Sequence, residues 1–139
     1  MPAGSKPPPG CVAVEAVNPA DGRRWEVYLR ESKIAATAKR GMGAAKELAY
    51  LVPLTLQQPT AVFRGVREEG ESRWLCYVGL PPDAYNHRTG ERLRPWLGQV
   101  FLVFVDDDRI VYNWRWDKAD LDDLRLPVDH GRRFEERVL

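Results

Sequence analysis

The feature that most constrains the fold is a change to a two-residue period after residue 60, because successive side chains of a β-strand point to opposite faces. Four strand-like segments follow that are joined in pairs by polar turns: residues 61–67 with 72–79, and residues 100–105 with 110–116. Each pair predicts a β-hairpin. The run from Phe101 to Val105 is apolar without a break, which is typical of a central strand covered on both faces. We therefore predict a four-stranded antiparallel meander for the second half of the chain.

The first half of the chain predicts a strand or hairpin followed by helical structure. Residues 11–17 and 25–29 are strand-like and flank the turn signal Asn-Pro-Ala-Asp-Gly, which favours an N-terminal hairpin. Apolar residues at helical spacing then predict one kinked helix or two short helices, capped by Ser32 and ended by Pro53. A short C-terminal helix at residues 132–138 completes the predicted α+β fold.

The helical pattern is interrupted at residues 39–43, whose sequence is Lys-Arg-Gly-Met-Gly. A glycine inside a helix costs up to about 1 kcal/mol relative to alanine, so we expect a kink at this point. We interpret the segment as a basic kink with Met42 packed against the core. The alternative is a phosphate-binding turn, but the spacing matches neither a Walker loop nor a dinucleotide fingerprint.

Size and composition place the chain among small soluble domains. Its 139 residues, of which 44% are hydrophobic, fit one domain, and we assign residues 11–139 to it. Residues 1–10 are rich in proline and glycine and predict a disordered leader rather than a signal peptide. No apolar run approaches the roughly 18 residues of a membrane span, so we predict no membrane partner. With no export signal in the sequence, we predict a cytoplasmic protein. The two cysteines form no disulfide framework, and Cys76 is predicted to be a core thiol.

Strand alternation assigns side chains to the two faces of the meander once a register is chosen. Pairing Arg67 with Ser72 and Val105 with Ile110 gives each hairpin one apolar face for the helices. If the two remaining faces align, one surface carries these polar side chains: Arg64, Arg73, Tyr77, Asn113 and Arg115. In this register Tyr112 falls on the apolar face. A slip of one residue in either hairpin would exchange that hairpin's faces.

The chemistry of this surface suits RNA. Guanidinium groups match phosphate oxygens, while an aromatic ring can stack on an unpaired base and an amide can bond its edge. The formal net charge is only +1, so attraction to RNA has to come from arginines gathered locally. The alternative is a solvated sheet face whose arginines pair with nearby carboxylates such as Glu68, Glu69 or Asp117.

One further position is a candidate for catalysis and another for metal binding. His87 lies in the long connection at residues 80–97 and is a candidate general base; the alternative is an exposed loop histidine. The acidic turn at residues 106–108 lacks a glutamate at calcium-loop spacing. We therefore interpret that turn as solvated and predict neither a metal site nor a cofactor.

The order of a hairpin, helices and an antiparallel meander resembles the Barnase–EndoU–colicin–RelE superfamily of small ribonuclease toxins. The resemblance covers residues 11–116 and is closest over residues 58–65, Gln-Pro-Thr-Ala-Val-Phe-Arg-Gly, and residues 100–116. It implies metal-independent cleavage of RNA on the open sheet face. By this resemblance Arg64, Arg73 and Arg115 would hold phosphate, and His87 or Tyr112 would transfer protons. We therefore predict Arg64, Arg115, His87 and Tyr112 as catalytic residues. We predict Arg73, Tyr77 and Asn113 as substrate-binding residues. A neutralising protein partner is a further expectation, and the oligomeric state is left open.

Two other functions fit the same sequence. One is a non-enzymatic binding module, such as an immunity-like or phage accessory protein, that uses the same face or the connection at residues 80–97. The other is a small-molecule-binding domain whose pocket is roofed by that connection near Trp96.

Overall fold

Seven strands form one mixed sheet in the computed structural model of the chain, which describes residues 7–67, 73–79, 88–89, 97–120 and 132–138. The strands are β1 Cys11–Val17, β2 Arg24–Arg30, β3 Ala61–Arg67, β4 Arg73–Gly79, β5 Leu97–Asp106, β6 Ile110–Asp120 and β7 Arg132–Arg137. They lie in the order β1-β2-β6-β5-β4-β3-β7. Helices between β2 and β3 complete the fold, so the predicted α+β class is confirmed.

The predicted N-terminal hairpin is present. β1 and β2 pair antiparallel, with Val14 opposite Val27, and Gly22 turns the chain with a φ of 73°. The Asn18 side chain accepts a hydrogen bond from the Ala20 amide at 3.0 Å, which fixes the start of the turn. Of the predicted leader, residues 1–6 lie outside the described residues. Gly10, at its end, accepts a 2.8 Å backbone bond from Glu31.

The strands β3 to β6 pair antiparallel in succession, and β3 and β4 have the predicted register. The sheet as a whole is larger and mixed, because β2 joins β6 in parallel and β7 pairs with β3. The predicted C-terminal helix is therefore wrong, since Arg132–Arg137 form β7. A six-residue helix is marginal by itself, whereas the edge of β3 satisfies the backbone groups of an added strand.

Two helical segments separate β2 from β3, as predicted. The first is α1, Glu31–Ala38; the second contains α2 Met42–Lys46, a π-helical turn Glu47–Leu51 and α3 Val52–Gln57. Ser32 is not the N-cap, because α1 begins at Glu31 without a side-chain cap. Pro53 does not end the helix. It lies in the first turn of α3, directly after the π-helical turn Glu47–Leu51.

No helix in the described part of the chain has the length and apolar character that crossing a bilayer requires.

Both faces of the sheet bury side chains. The helix-covered face packs sheet residues such as Val62, Phe101 and Val103 against Val52 and Leu56 of α3. The second face buries its own apolar cluster: Ala61, Phe63, Trp74, Cys76, Val78, Val100, Leu102 and Phe104. The Trp74 and Phe104 rings of this cluster meet edge to face at 5.7 Å, an arrangement worth about 1 kcal/mol beyond burial. Cys76 is a fully buried core thiol, as predicted.

A β-bulge at Tyr112 alters the register predicted for β5 and β6. The observed pairs are Phe101 with Trp116, Val103 with Trp114, Phe104 with Asn113 and Val105 with Val111. Tyr112 is the extra residue, so its ring lies on the second face, 6.0 Å from the Phe104 ring. The prediction that Tyr112 faces the helices is therefore wrong, because the bulge exchanges the faces of Tyr112 and Val111.

Candidate functional site

The predicted arginine surface is divided between the two faces of the sheet. Across β4 and β5, Tyr77 lies opposite Val103, which puts the Arg64–Tyr77 side of the first hairpin on the helix-covered face. Across β5 and β6, Arg115 lies opposite Leu102 and Asn113 opposite Phe104, which puts them on the second face. The prediction of one shared surface is therefore wrong. The two hairpins pair through β4 and β5, but the side of the first hairpin that carries Arg64 is continuous with the apolar side of the second hairpin.

Tyr77 serves the core of the fold. Its side chain is fully buried, and its hydroxyl donates to the Val17 carbonyl oxygen at 2.6 Å and accepts from Trp25 Nε1 at 3.2 Å. Burial raises the pKa of Tyr77 to about 12, partly offset by the bond from Trp25. The hydroxyl is thus protonated at neutral pH and is engaged inside the protein.

On the second face, Arg115 packs its guanidinium over the Phe104 ring, 5.3 Å from the ring centroid. Such cation–π contacts contribute about 0.5–2 kcal/mol, depending on exposure. Arg115, Tyr112 and Asn113 are all half-buried. Among the remaining predicted residues, His87 and the side chain of Arg73 lie outside the described residues.

Arg64 lines a cleft of about 500 Å³ at the end of the sheet where the β1–β2 and β5–β6 turns meet. The cleft is lined by Asn18, Pro19, Ala20, Trp25, Arg64, Trp74, Leu75, Asp106, Asp107 and Arg109. Four of these side chains are charged, two guanidinium groups and two carboxylates. The cleft therefore presents positively charged hydrogen-bond donors and negatively charged acceptors beside the half-buried indole of Trp25.

The β5–β6 turn supplies three of the charged groups in a fixed arrangement. Asp106 Oδ1 accepts the amide hydrogens of Asp108 at 2.9 Å and Ile110 at 3.1 Å, which holds the turn in place. Asp107, the residue that follows Asp106, is exposed. Arg109 has a φ of 61°, and its guanidinium carbon lies 5.3 Å from the Trp25 ring and 5.5 Å from the Tyr28 ring.

Lys33 is a second perturbed group, away from the cleft. Its Nζ donates to the carbonyl oxygen of the bulged Tyr112 at 2.7 Å and lies 5.1 Å from the centroid of the Trp114 ring. Partial burial lowers the pKa of Lys33, and the positive charges of Arg40 and Arg30 lower it further. These contacts give Lys33 a structural role, which is to hold the bulge against α1.

Sequence reasoning identified Arg64 but missed its neighbours in the cleft. The sequence predicts a solvated acidic turn at residues 106–108 and assigns no role to Arg109. The cleft residues come from three separate regions of the chain, residues 18–25, 64–75 and 106–109. No local pattern reports that packing. A non-glycine residue in a tight acidic turn was the one available signal.

Among the described residues, no group of three or more histidine, cysteine or acidic side chains is placed to hold a metal ion. No family model, curated protein or solved structure matches this chain. The likeness to the ribonuclease-toxin superfamily thus stays a prediction.

Proposed function

We propose that this protein binds RNA in the cleft between the β1–β2 and β5–β6 turns. One observation carries the proposal: Arg64 and Arg109 reach the same cleft from separate hairpins, beside Asp107 and Trp25. Guanidinium groups bind phosphate oxygens through charge-assisted hydrogen bonds. Two of them in one cleft supply donors for the phosphate oxygens, while Asp106 and Asp107 balance their formal charge and leave acceptors for other groups of the ligand.

The carboxylates favour a ribonucleotide over a simple anion. A ribose offers hydroxyl donors close to its phosphates, and the 2′-hydroxyl is the group that distinguishes RNA from DNA. In our proposal Arg64 and Arg109 hold the phosphate backbone while Asp107 accepts a bond from a ribose hydroxyl. The Trp25 indole and the Asn18 amide lie beside the base.

The same groups favour cleavage as the activity that follows binding. In this hypothesis the Asp107 carboxylate takes the proton of a 2′-hydroxyl, and the 2′-oxygen attacks the adjacent phosphorus. The bond from phosphorus to the 5′-oxygen breaks, and that oxygen takes a proton from water. The products are a 2′,3′-cyclic phosphate and a 5′-hydroxyl end. The guanidinium groups stabilise the charge that builds on the phosphate oxygens. No step requires a metal ion.

RNA binding is tested by fluorescence anisotropy with a labelled single-stranded oligonucleotide over a range of salt concentrations. We expect Arg64→Gln to weaken binding about tenfold, because it removes one charge-assisted bond to phosphate. It should also reduce the magnitude of the slope of log K against the logarithm of the salt concentration by about 0.7. The control is Arg30→Gln, an exposed arginine at the opposite end of β2. Equal weakening by both variants would show a diffuse charge effect and contradict the proposal.

Cleavage is tested on the same RNA with Asp107→Asn, in the presence and absence of EDTA. The ribonuclease hypothesis expects cyclic-phosphate ends, their loss in Asp107→Asn, and no effect of EDTA. Binding that needs Arg64 without any cleavage would identify the alternative, a non-enzymatic binding module. Cleavage that survives Arg64→Gln but is lost in Arg115→Gln would place the activity on the second face instead.

A further inference from the structure

Three large apolar side chains stand exposed on the second helical segment. Met42 is 76% exposed, Tyr50 70% and Leu54 51%. The sequence interpretation of Met42 as packed is thus wrong, because Gly41 turns the chain with a φ of 107° and α2 then starts with Met42 facing outward. Exposed apolar groups that gather into one patch mark interaction sites more often than single exposed residues do.

The π-helical turn brings these side chains into line. Met42, Lys46, Tyr50 and Leu54 recur every four residues and are all exposed. In an unbroken α-helix, side chains four apart rotate by about 40° per step around the axis. A π turn takes more residues per turn than an α-helix, so it reverses the drift between Lys46 and Tyr50. We call the resulting row of four side chains the helical stripe.

The charges around the helical stripe are mostly positive. Lys39 and Arg40 are exposed just before α2, and Lys46 lies within the stripe. Glu47 is half-buried beside them. Methionine adapts its shape to a partner, and methionine and tyrosine are enriched at protein interfaces. A partner surface that complements the helical stripe therefore combines apolar side chains with carboxylates, since complementary charges guide and orient association.

We propose that the helical stripe is a docking site for an acidic amphipathic segment of a partner protein. The apolar side chains of that segment pack on Met42, Tyr50 and Leu54, and its carboxylates pair with Lys39, Arg40 and Lys46. No stripe residue lines the cleft, so this interaction is independent of RNA binding. A second copy of the chain is a poor occupant because two basic stripes repel each other.

The test uses the ¹⁵N-labelled protein of 139 residues and two synthetic peptides of about 16 residues, long enough for helix formation. Both peptides carry leucines at helical spacing; one has glutamates between them and the other has lysines. We expect the glutamate peptide to shift the NMR signals of residues 39–54 and the lysine peptide to leave them unchanged. Tyr50→Ala/Leu54→Ala should weaken binding at least about tenfold, while Val12→Ala, at another exposed apolar site, should not.

A charge-reversal variant tests whether the basic side chains determine which peptide binds. Lys39→Glu/Lys46→Glu should transfer the preference from the glutamate peptide to the lysine peptide. Equal binding of both peptides, or no shift in the stripe, would overturn the proposal. So would preferential binding to phosphatidylglycerol vesicles, or self-association that Tyr50→Ala abolishes.

Discussion

Arg109 shows how a single residue can join two parts of the chain at a local cost. A side chain other than glycine in the left-handed region costs about 1–2 kcal/mol, and Arg109 has a φ of 61°. In return its carbonyl oxygen accepts the Tyr28 amide at 2.7 Å, and its Nη2 donates to the Tyr28 hydroxyl at 3.3 Å. The guanidinium also covers the Trp25 ring. Arg109 thus clamps β2 to the β5–β6 turn.

The two contributions of Arg109 can be separated by substitution. Arg109→Ala loses the guanidinium contacts and keeps the backbone cost, whereas Arg109→Gly loses the contacts but adopts the positive φ freely. We expect both variants to be less stable than the parent. The free energy of unfolding of Arg109→Ala should be lower than that of Arg109→Gly by about 1 kcal/mol. Urea unfolding measures the difference. An alanine variant as stable as the glycine variant would mean that the turn relaxes to a negative φ.

At the scale of elements, α3 and β4 approach each other through a glycine. A methyl group on Gly79 would lie 2.6 Å from Thr55 Oγ1 and 3.3 Å from its Cγ2, closer than packed atoms allow. Thr55 is buried in α3, next to the core residue Leu56. The distance between the helix and the sheet is therefore set by the absence of a side chain at Gly79.

We expect Gly79→Ala to destabilise the protein by about 1–3 kcal/mol, because it overpacks this contact. The double variant Gly79→Ala/Thr55→Ala should recover part of that loss, since it removes both atoms that clash. A double-mutant cycle by thermal or urea unfolding measures the coupling. If the two single effects simply add, the contact does not set the spacing.

The elements that sequence could predict are those determined by neighbouring residues. The alternation in β3 and β4 and their turn placed Ala61 opposite Val78, and the structure has this pair. The bulge at Tyr112 was not predictable, because Lys33, 79 positions away, holds the carbonyl oxygen that the bulge presents. The strand β7 was missed for a similar reason, since it depends on the edge of β3.

For the whole molecule, Tyr77 joins β4 to β1, two strands that are separated by β2, β6 and β5 in the sheet. It lies on β4, yet its hydroxyl donates to Val17 at the end of β1, at 2.6 Å. Trp25 of β2 donates to the same oxygen at 3.2 Å. The sheet therefore curls until β1 and β4 are in hydrogen-bond contact, and this curl brings the β1–β2 turn up to Arg64 to form the cleft.

This closure depends on pH in a defined direction. The pKa of Tyr77 is raised from 10.0 to about 12 in the folded protein, so its stabilising effect is complete below pH 10 and is lost as pH rises toward 12. We expect Tyr77→Phe to be less stable at pH 8 by about 1–3 kcal/mol, because Val17 and Trp25 lose their partner. Between pH 10 and 12 it should lose about 2 kcal/mol less than the parent.

Urea unfolding at several pH values measures these slopes, with Tyr50→Phe as the control because Tyr50 is largely exposed. Parallel slopes for the parent and Tyr77→Phe between pH 10 and 12 would mean that the hydroxyl is hydrated rather than bonded to Val17.

The candidate site shows where prediction from sequence ends. Strand parity separated the two sides of each hairpin, and for β3 and β4 it did so correctly. Strand parity could not show which side of the first hairpin would be continuous with which side of the second. The pairing of β4 with β5 decides this, and it puts Arg115 and Arg64 on opposite faces of the sheet. The cleft also needs the N-terminal hairpin beside the β5–β6 turn, a contact between residues 81 positions apart.

The parallel contact of β2 with β6 has a consequence for how the chain is made. β2 leaves the ribosome 81 positions before Arg109, the residue that clamps it. Until then β1 and β2 form a two-stranded hairpin, which is marginally stable in water, and the edge of β2 is open to strands of other chains. The N-terminal hairpin is therefore made first, and its pairing with β6 can form only after the intervening strands have been made. The yield of folded protein should depend on how quickly the intervening stretch is translated.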